Sequence, residues 1–157
     1  LEINQISYKL PNVRYGMVQK LKNILVPIDG SQNALRGLDK AITLAAGGDA
    51  TITALFVFQL PWKAGLKFSK SMERQAQLNA TRAIAVAKRK VENAGIPFKW
   101  KTAGGKPGEA IVNVGKGANT DIIVIGARGV GGAKEKFFGS TSNYVMHKST
   151  KPVLVVK

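Results

Sequence analysis

Asp121-Ile-Ile-Val-Ile-Gly126-Ala-Arg-Gly129-Val-Gly-Gly-Ala-Lys-Glu-Lys-Phe-Phe-Gly139-Ser-Thr-Ser142 reads as an apolar strand, a glycine-rich loop and the start of a helix. The strand is apolar on both faces, the mark of a central parallel strand covered on both sides. Five glycines in the loop, 126, 129, 131, 132 and 139, let a backbone approach a ligand with no Cβ in the way. Ser140, Thr141 and Ser142 add hydroxyls where the helix exposes unpaired N–H groups at its positive dipole end. Such a stretch is a seat for phosphate.

Working outward, the chain alternates strand and helix. An apolar run over residues 23–28 (β1) ends in Asp29-Gly30-Ser31, with Pro27 expected to interrupt pairing. Ala34, Leu35, Leu38, Ala41, Ile42 and Ala45 recur at helical spacing over 33–46 (α1), closed by Gly47 and Gly48. Ser31 is expected to cap α1. Residues 51–58 (β2) are β-branched and aromatic, and a loop over 59–68 follows, where Trp62 is read as a packing residue. A stripe from Met72 through Ala76, Ala80, Ala83, Ala87 and Val91 to Ala94 marks the longest helix (α2), ended by Gly95.

Phe98-Lys99-Trp100-Lys101 (β3) alternates apolar and charged residues and predicts an edge strand with one wet face. Pro107 opens a short helix (α3) with Ile111, Val114 and Ala118 turned inward and Gly115 and Gly117 weakening it. The opening strand (β4, 122–125) and its loop come next, then a helix over 140–148 (α4) and a last strand over 151–156 (β5).

Strands alternating with helices require parallel pairing and right-handed crossovers, hence a single-domain doubly wound α/β fold with helices on both faces. Strand order 3-2-1-4-5 puts β3 at one edge and the two fully apolar strands side by side at the centre. Asp29 and the Gly126 loop then meet at the topological switch point, where such sheets hold ligands. β5 becomes the other edge, and Val153, Leu154, Val155 and Val156 lack the charges that guard an exposed edge, so homodimerisation through this strand is expected.

With 157 residues the chain is one domain's worth, expected over 17–157, with residues 1–16 an extension that is flexible or foreign to the native chain. There is no cysteine, so thiolate metal sites are excluded, and the single histidine, His147, read as a helix-end residue, argues against a histidine-based one. No apolar run is of membrane-spanning length and no export signal is visible, so a cytoplasmic location is expected and the sequon Asn79-Ala-Thr81 is taken as unused. The formal net charge of +15 attracts polyanions, but the lysines are spread along the chain as a solvated coat would be.

Neither a P-loop nor a dinucleotide fingerprint fits the glycine loop. Gly126, two residues, Gly129, nine residues, then Gly139-Ser140 does form a pattern. With Val26-Pro27-Ile28-Asp29 and Pro152-Val-Leu-Val-Val156 it resembles the universal stress protein family, in its ATP-binding branch. The resemblance implies that Val57 meets adenine through its backbone, that Asp29 and Gly126 lie near the ribose, and that Gly129, Gly139, Ser140 and Thr141 lie near the phosphates. Pro27, Arg128 and Ser142 complete the candidate set, and Lys134 and Lys136 add positive charge.

The implied cofactor is ATP, AMP or ADP, with Mg²⁺ through Asp29 as an option, and the implied role is a stress-response regulatory module with an unknown protein partner. Binding with slow or no hydrolysis is expected, because Asp29 is the one acidic side chain placed in the cleft and Glu135 a remote second. A weak Mg²⁺-dependent ATPase and a basic nucleic-acid-binding protein are the alternatives. The last is disfavoured because no recognition-helix, RRM, KH or zinc signature accompanies the charge.

Overall fold

A computed structural model describes residues 20–59, 69–117, 119–130 and 138–157. Five parallel strands lie in the order β3-β2-β1-β4-β5, as expected from the patterning. The elements are β1 (Asn23–Pro27), α1 (Gln32–Ala45), β2 (Thr51–Phe58), α2 (Lys70–Asn93), β3 (Phe98–Gly104), α3 (Pro107–Gly115), β4 (Ile122–Gly126), α4 (Ser140–Lys148) and β5 (Val153–Val156). Expectations for the extension over residues 1–16 and for Trp62, Ala118, Lys134, Glu135 and Lys136 fall outside the described residues.

Alternation along the strands divides the core in two. On one face Ile24, Val26, Ile52, Ala54 and Val124 pack with Leu38 and Ala41 of α1 and Ala80, Ala83, Ala87 and Val91 of α2. On the other, Leu25, Leu55, Ile123 and Ile125 pack with Ile111 and Val112 of α3 and Val145 of α4. Right-handed crossovers dictate this sorting: the first two connections run toward β3 and the last two toward β5, so their helices fall on opposite faces.

The two central strands are clamped at their amino ends. The Asp121 carboxylate accepts from the backbone N–H of both Lys22 and Asn23 at 2.8 Å, and the Asp121 N–H donates to the Asn23 carbonyl at 2.9 Å. At their carboxyl ends they part. β1 stays paired with β2 through Pro27↔Leu55, and the Ile28 N–H still donates to the Leu55 carbonyl at 2.9 Å. Toward β4 the register stops at Leu25↔Ile123. Successive residues of a parallel strand bond to opposite neighbours, so with Ile28 bonded to β2, Pro27 faces β4 with no N–H to give. The expected lapse at Pro27 is therefore one-sided, and it opens the sheet at the switch point.

Two sequence expectations change. Met72 is 54% exposed, so the stripe of α2 becomes core only from Ala80 onward, and the early turns of this 24-residue helix reach the carboxyl end of the sheet, where Ala76 and Asn79 meet the strand ends. In β3, Lys99, Trp100, Lys101 and Thr102 are all exposed, so the strand is wet on both faces through its middle. The cause is cover: Ala54, the register partner of Trp100, is wholly buried under α2, which does not extend over the edge strand in the same way. Gly115 also has a packing role, since a Cβ there would stand 2.8 Å from Cδ1 of Ile123.

Candidate functional site

The turn after β1 is built by short polar side chains. Gly30 sits at φ +84°, a conformation glycine adopts without strain. Asp29 accepts from the Ser31 N–H at 2.9 Å through Oδ1, and Ser31 Oγ in turn accepts from the Ala34 N–H at 3.1 Å, capping α1 as its sequence position predicted. The second Asp29 oxygen, Oδ2, accepts from the Val130 N–H at 3.0 Å. Asp29 thus ties the β1 turn to the glycine loop, two stretches a hundred residues apart.

The base of that loop is closed by one carbonyl. Ala127 O accepts from the Gly139 N–H at 2.8 Å and from the Ser142 hydroxyl at 2.8 Å, while the Ala127 N–H donates to the Val156 carbonyl at 2.7 Å. Ser142, 1% exposed, also lies 3.0 Å from the Gly139 carbonyl. Its hydroxyl is consumed in holding the loop ends together. Gly139 is the N-cap of α4 and supplies no side-chain cap, so the first turn of this helix carries donors that no capping side chain covers.

These elements enclose a cleft of about 440 Å³. All ten candidate residues line it: Pro27, Asp29, Val57, Gly126, Arg128, Gly129, Gly139, Ser140, Thr141 and Ser142. They are not equivalent. Pro27, Gly126 and Ser142 are buried and shape the walls, whereas Asp29, Val57, Arg128, Gly129, Gly139, Ser140 and Thr141 are at least partly accessible.

The glycines are also needed for a different reason than the sequence suggested. A Cβ on Gly126 would lie 2.4 Å from the Asn33 carbonyl oxygen, and one on Gly129 would lie 2.6 Å from Oδ2 of Asp29. Gly126 lets α1 cross β4 at close range, and Gly129 leaves room for the carboxylate that anchors the loop.

Sequence reasoning missed several walls of the cleft. Phe58 and Gln59 extend the β2 side, Pro107 and Ile111 come from α3, and Ala76 and Asn79 come from α2. Phe58 had a signal in the sequence, being two residues from Phe56 on the same strand face; their rings meet edge to face at 5.2 Å. Asn79 had none, since only the overhang of α2 brings it to the sheet end. Its Oδ1 accepts from Gln75 Nε2 at 3.0 Å. Among the described residues, Asp29 is the single carboxylate of the lining, and there is no cluster of three or more His, Cys, Asp or Glu suited to a metal. A Mg²⁺ ion here would draw most of its oxygens from phosphate and water. His147 is exposed in the last turn of α4, the helix-end position its place in the sequence indicated.

The profile of the universal stress protein family matches residues 20–157. The chain belongs to this family. Universal stress protein YxiE of Bacillus subtilis is 31% identical over 144 residues, spanning 85% of this chain and 97% of that protein. The solved structure of MJ0577 from Methanocaldococcus jannaschii has a TM-score of 0.78 at 29% identity, covering 88% of this chain and 96% of that one. The Arabidopsis thaliana universal stress protein solved with AMP bound has the same fold, with a TM-score of 0.64 at 16% identity over 87% of this chain and 91% of that one.

Proposed function

We propose that this universal stress protein binds an adenine nucleotide in the cleft between the ends of β1 and β4 and works as a cytoplasmic, homodimeric regulatory module in a stress response. One observation carries the reading: residues from β1, β2, β4, the glycine loop and α4, singled out in the sequence, line a single cleft at the switch point. The AMP-bound Arabidopsis protein indicates that this fold has room for an adenine nucleotide.

Adenine lies at the end of β2, where the Val57 backbone reads its edge beside Phe58. The ribose lies by Asp29. The phosphates reach Gly129, Ser140 and Thr141, where backbone N–H groups, hydroxyls and the α4 dipole meet them, with Arg128 adding charge. With one carboxylate and no placed base among its described residues, the cleft holds the triphosphate more readily than it splits it.

Titration calorimetry with ATP, AMP and GTP tests the reading, with ATP and AMP expected to bind and GTP at least tenfold more weakly. Equal affinity for GTP, or none for ATP, sinks it. Acid release of any co-purified ligand, identified by mass, is an independent check.

A further inference from the structure

We infer that the exposed β3 edge binds single-stranded nucleic acid, through stacking on Trp100 and phosphate contacts from Lys99 and Lys101. Trp100 is 56% exposed in the middle of a seven-residue edge strand. Lys99 and Lys101 flank it, both exposed and neither in an ion pair among the described residues. Edge strands commonly carry lysine to discourage pairing with other chains. That purpose needs only the charges, and an exposed indole on the other face of the same strand works against it by offering an apolar surface.

The pairing of the two features has a reason if the ligand is both aromatic and anionic. Single-stranded nucleic acid has bases that stack on an indole and phosphates that seek cations. Lys99 and Lys101 share one face about 6.6 Å apart, with Trp100 on the other; the spacing is on the order of a nucleotide's step along an extended strand, and the long lysine stems allow the ammonium groups to reach around the edge. The net charge of +15 supplies the long-range attraction. No β3 residue lines the nucleotide cleft, so this surface is independent of it.

The test is fluorescence anisotropy of labelled oligo(dT), a ligand without adenine, across a series of salt concentrations. Trp100→Ala is expected to weaken binding about 5- to 100-fold at fixed salt with little change in salt slope. Lys99→Gln with Lys101→Gln flattens the slope of log K against log salt by about 1.4. Lys40→Gln with Lys148→Gln, which removes two exposed cations elsewhere, has the smaller effect.

Oligonucleotide quenches tryptophan emission in Trp62→Phe and leaves it unquenched in Trp100→Phe; thermal melts verify that every variant is folded. Four outcomes overturn the proposal: no binding at physiological salt, an equal loss from the Lys40 and Lys148 pair, competition by saturating ATP, or binding confined to phosphatidylserine vesicles.

Discussion

Asp29 is the residue on which most of the cleft's geometry depends. Each of its carboxylate oxygens accepts from a different backbone N–H, Ser31 on one side and Val130 on the other. Asp29→Asn leaves one acceptor and turns an amide N–H₂ against a donor. Nucleotide affinity is expected to fall at least tenfold by calorimetry, by loss of a charge-assisted bond of about 1.5–3 kcal/mol. The fall is the same with Mg²⁺ or with EDTA if the carboxylate anchors the loop, and larger with Mg²⁺ if it holds the metal. Gly126→Ala separates stability from binding, because the added methyl meets the Asn33 backbone, which has no side-chain freedom to yield. Urea unfolding is expected to show a loss of about 1–3 kcal/mol, the usual range for overpacking. A neutral result would mean that α1 and β4 can move apart.

At the level of elements, β5 and the glycine loop are joined. The Val156 carbonyl holds the Ala127 N–H at 2.7 Å, Ala127 O holds the loop's far end, and the Lys157 ammonium lies 5.3 Å from the centre of the Phe138 ring. A ligand seated against Gly129 and Gly139 therefore acts directly on the last residues of the strand proposed as the dimer edge. ATP is expected to slow amide hydrogen exchange at Ala127 and Gly139 at least several-fold, and to slow it along β5 as well. Exchange at β5 that ignores ATP would separate the loop from the edge. The four β5 residues are each half-buried in the single chain, packed against its two core clusters. Sedimentation across a range of concentrations tests the pairing, and a monomer mass at every concentration rejects it.

For the whole molecule, the balance of charge sets the expectation for chemistry. Metal-assisted phosphoryl transfer needs carboxylates to hold the ion and a group to position the nucleophile. Among the described residues, the cleft lining contributes Asp29 alone. Incubation of excess protein with labelled ATP and Mg²⁺ is expected to leave the nucleotide intact over many minutes, and single-turnover hydrolysis that Asp29→Asn abolishes would make the protein an enzyme. No helix among the described residues is long and apolar enough to cross a membrane.

The chain by itself determined the sheet. Apolar runs such as Ile122 to Ile125 can lie only in the middle, the charged β3 suits only an edge, and handed crossovers leave one economical order. It also determined which residues meet at the switch point, since strand order alone carries Asp29 and the glycine loop together. What it could not settle was the reason for each residue. Period-two patterning speaks of faces and not of how far a neighbouring helix reaches, so it predicts one dry side for the strand of Trp100, and helical spacing alone puts Met72 on the core stripe. Glycine spacing marks close approach without saying of what; only tertiary structure shows that Gly126 makes room for α1 and Gly129 for Asp29, and that Ser142 spends its hydroxyl on the loop. Those contacts join segments distant in sequence, and local pattern carries no record of them.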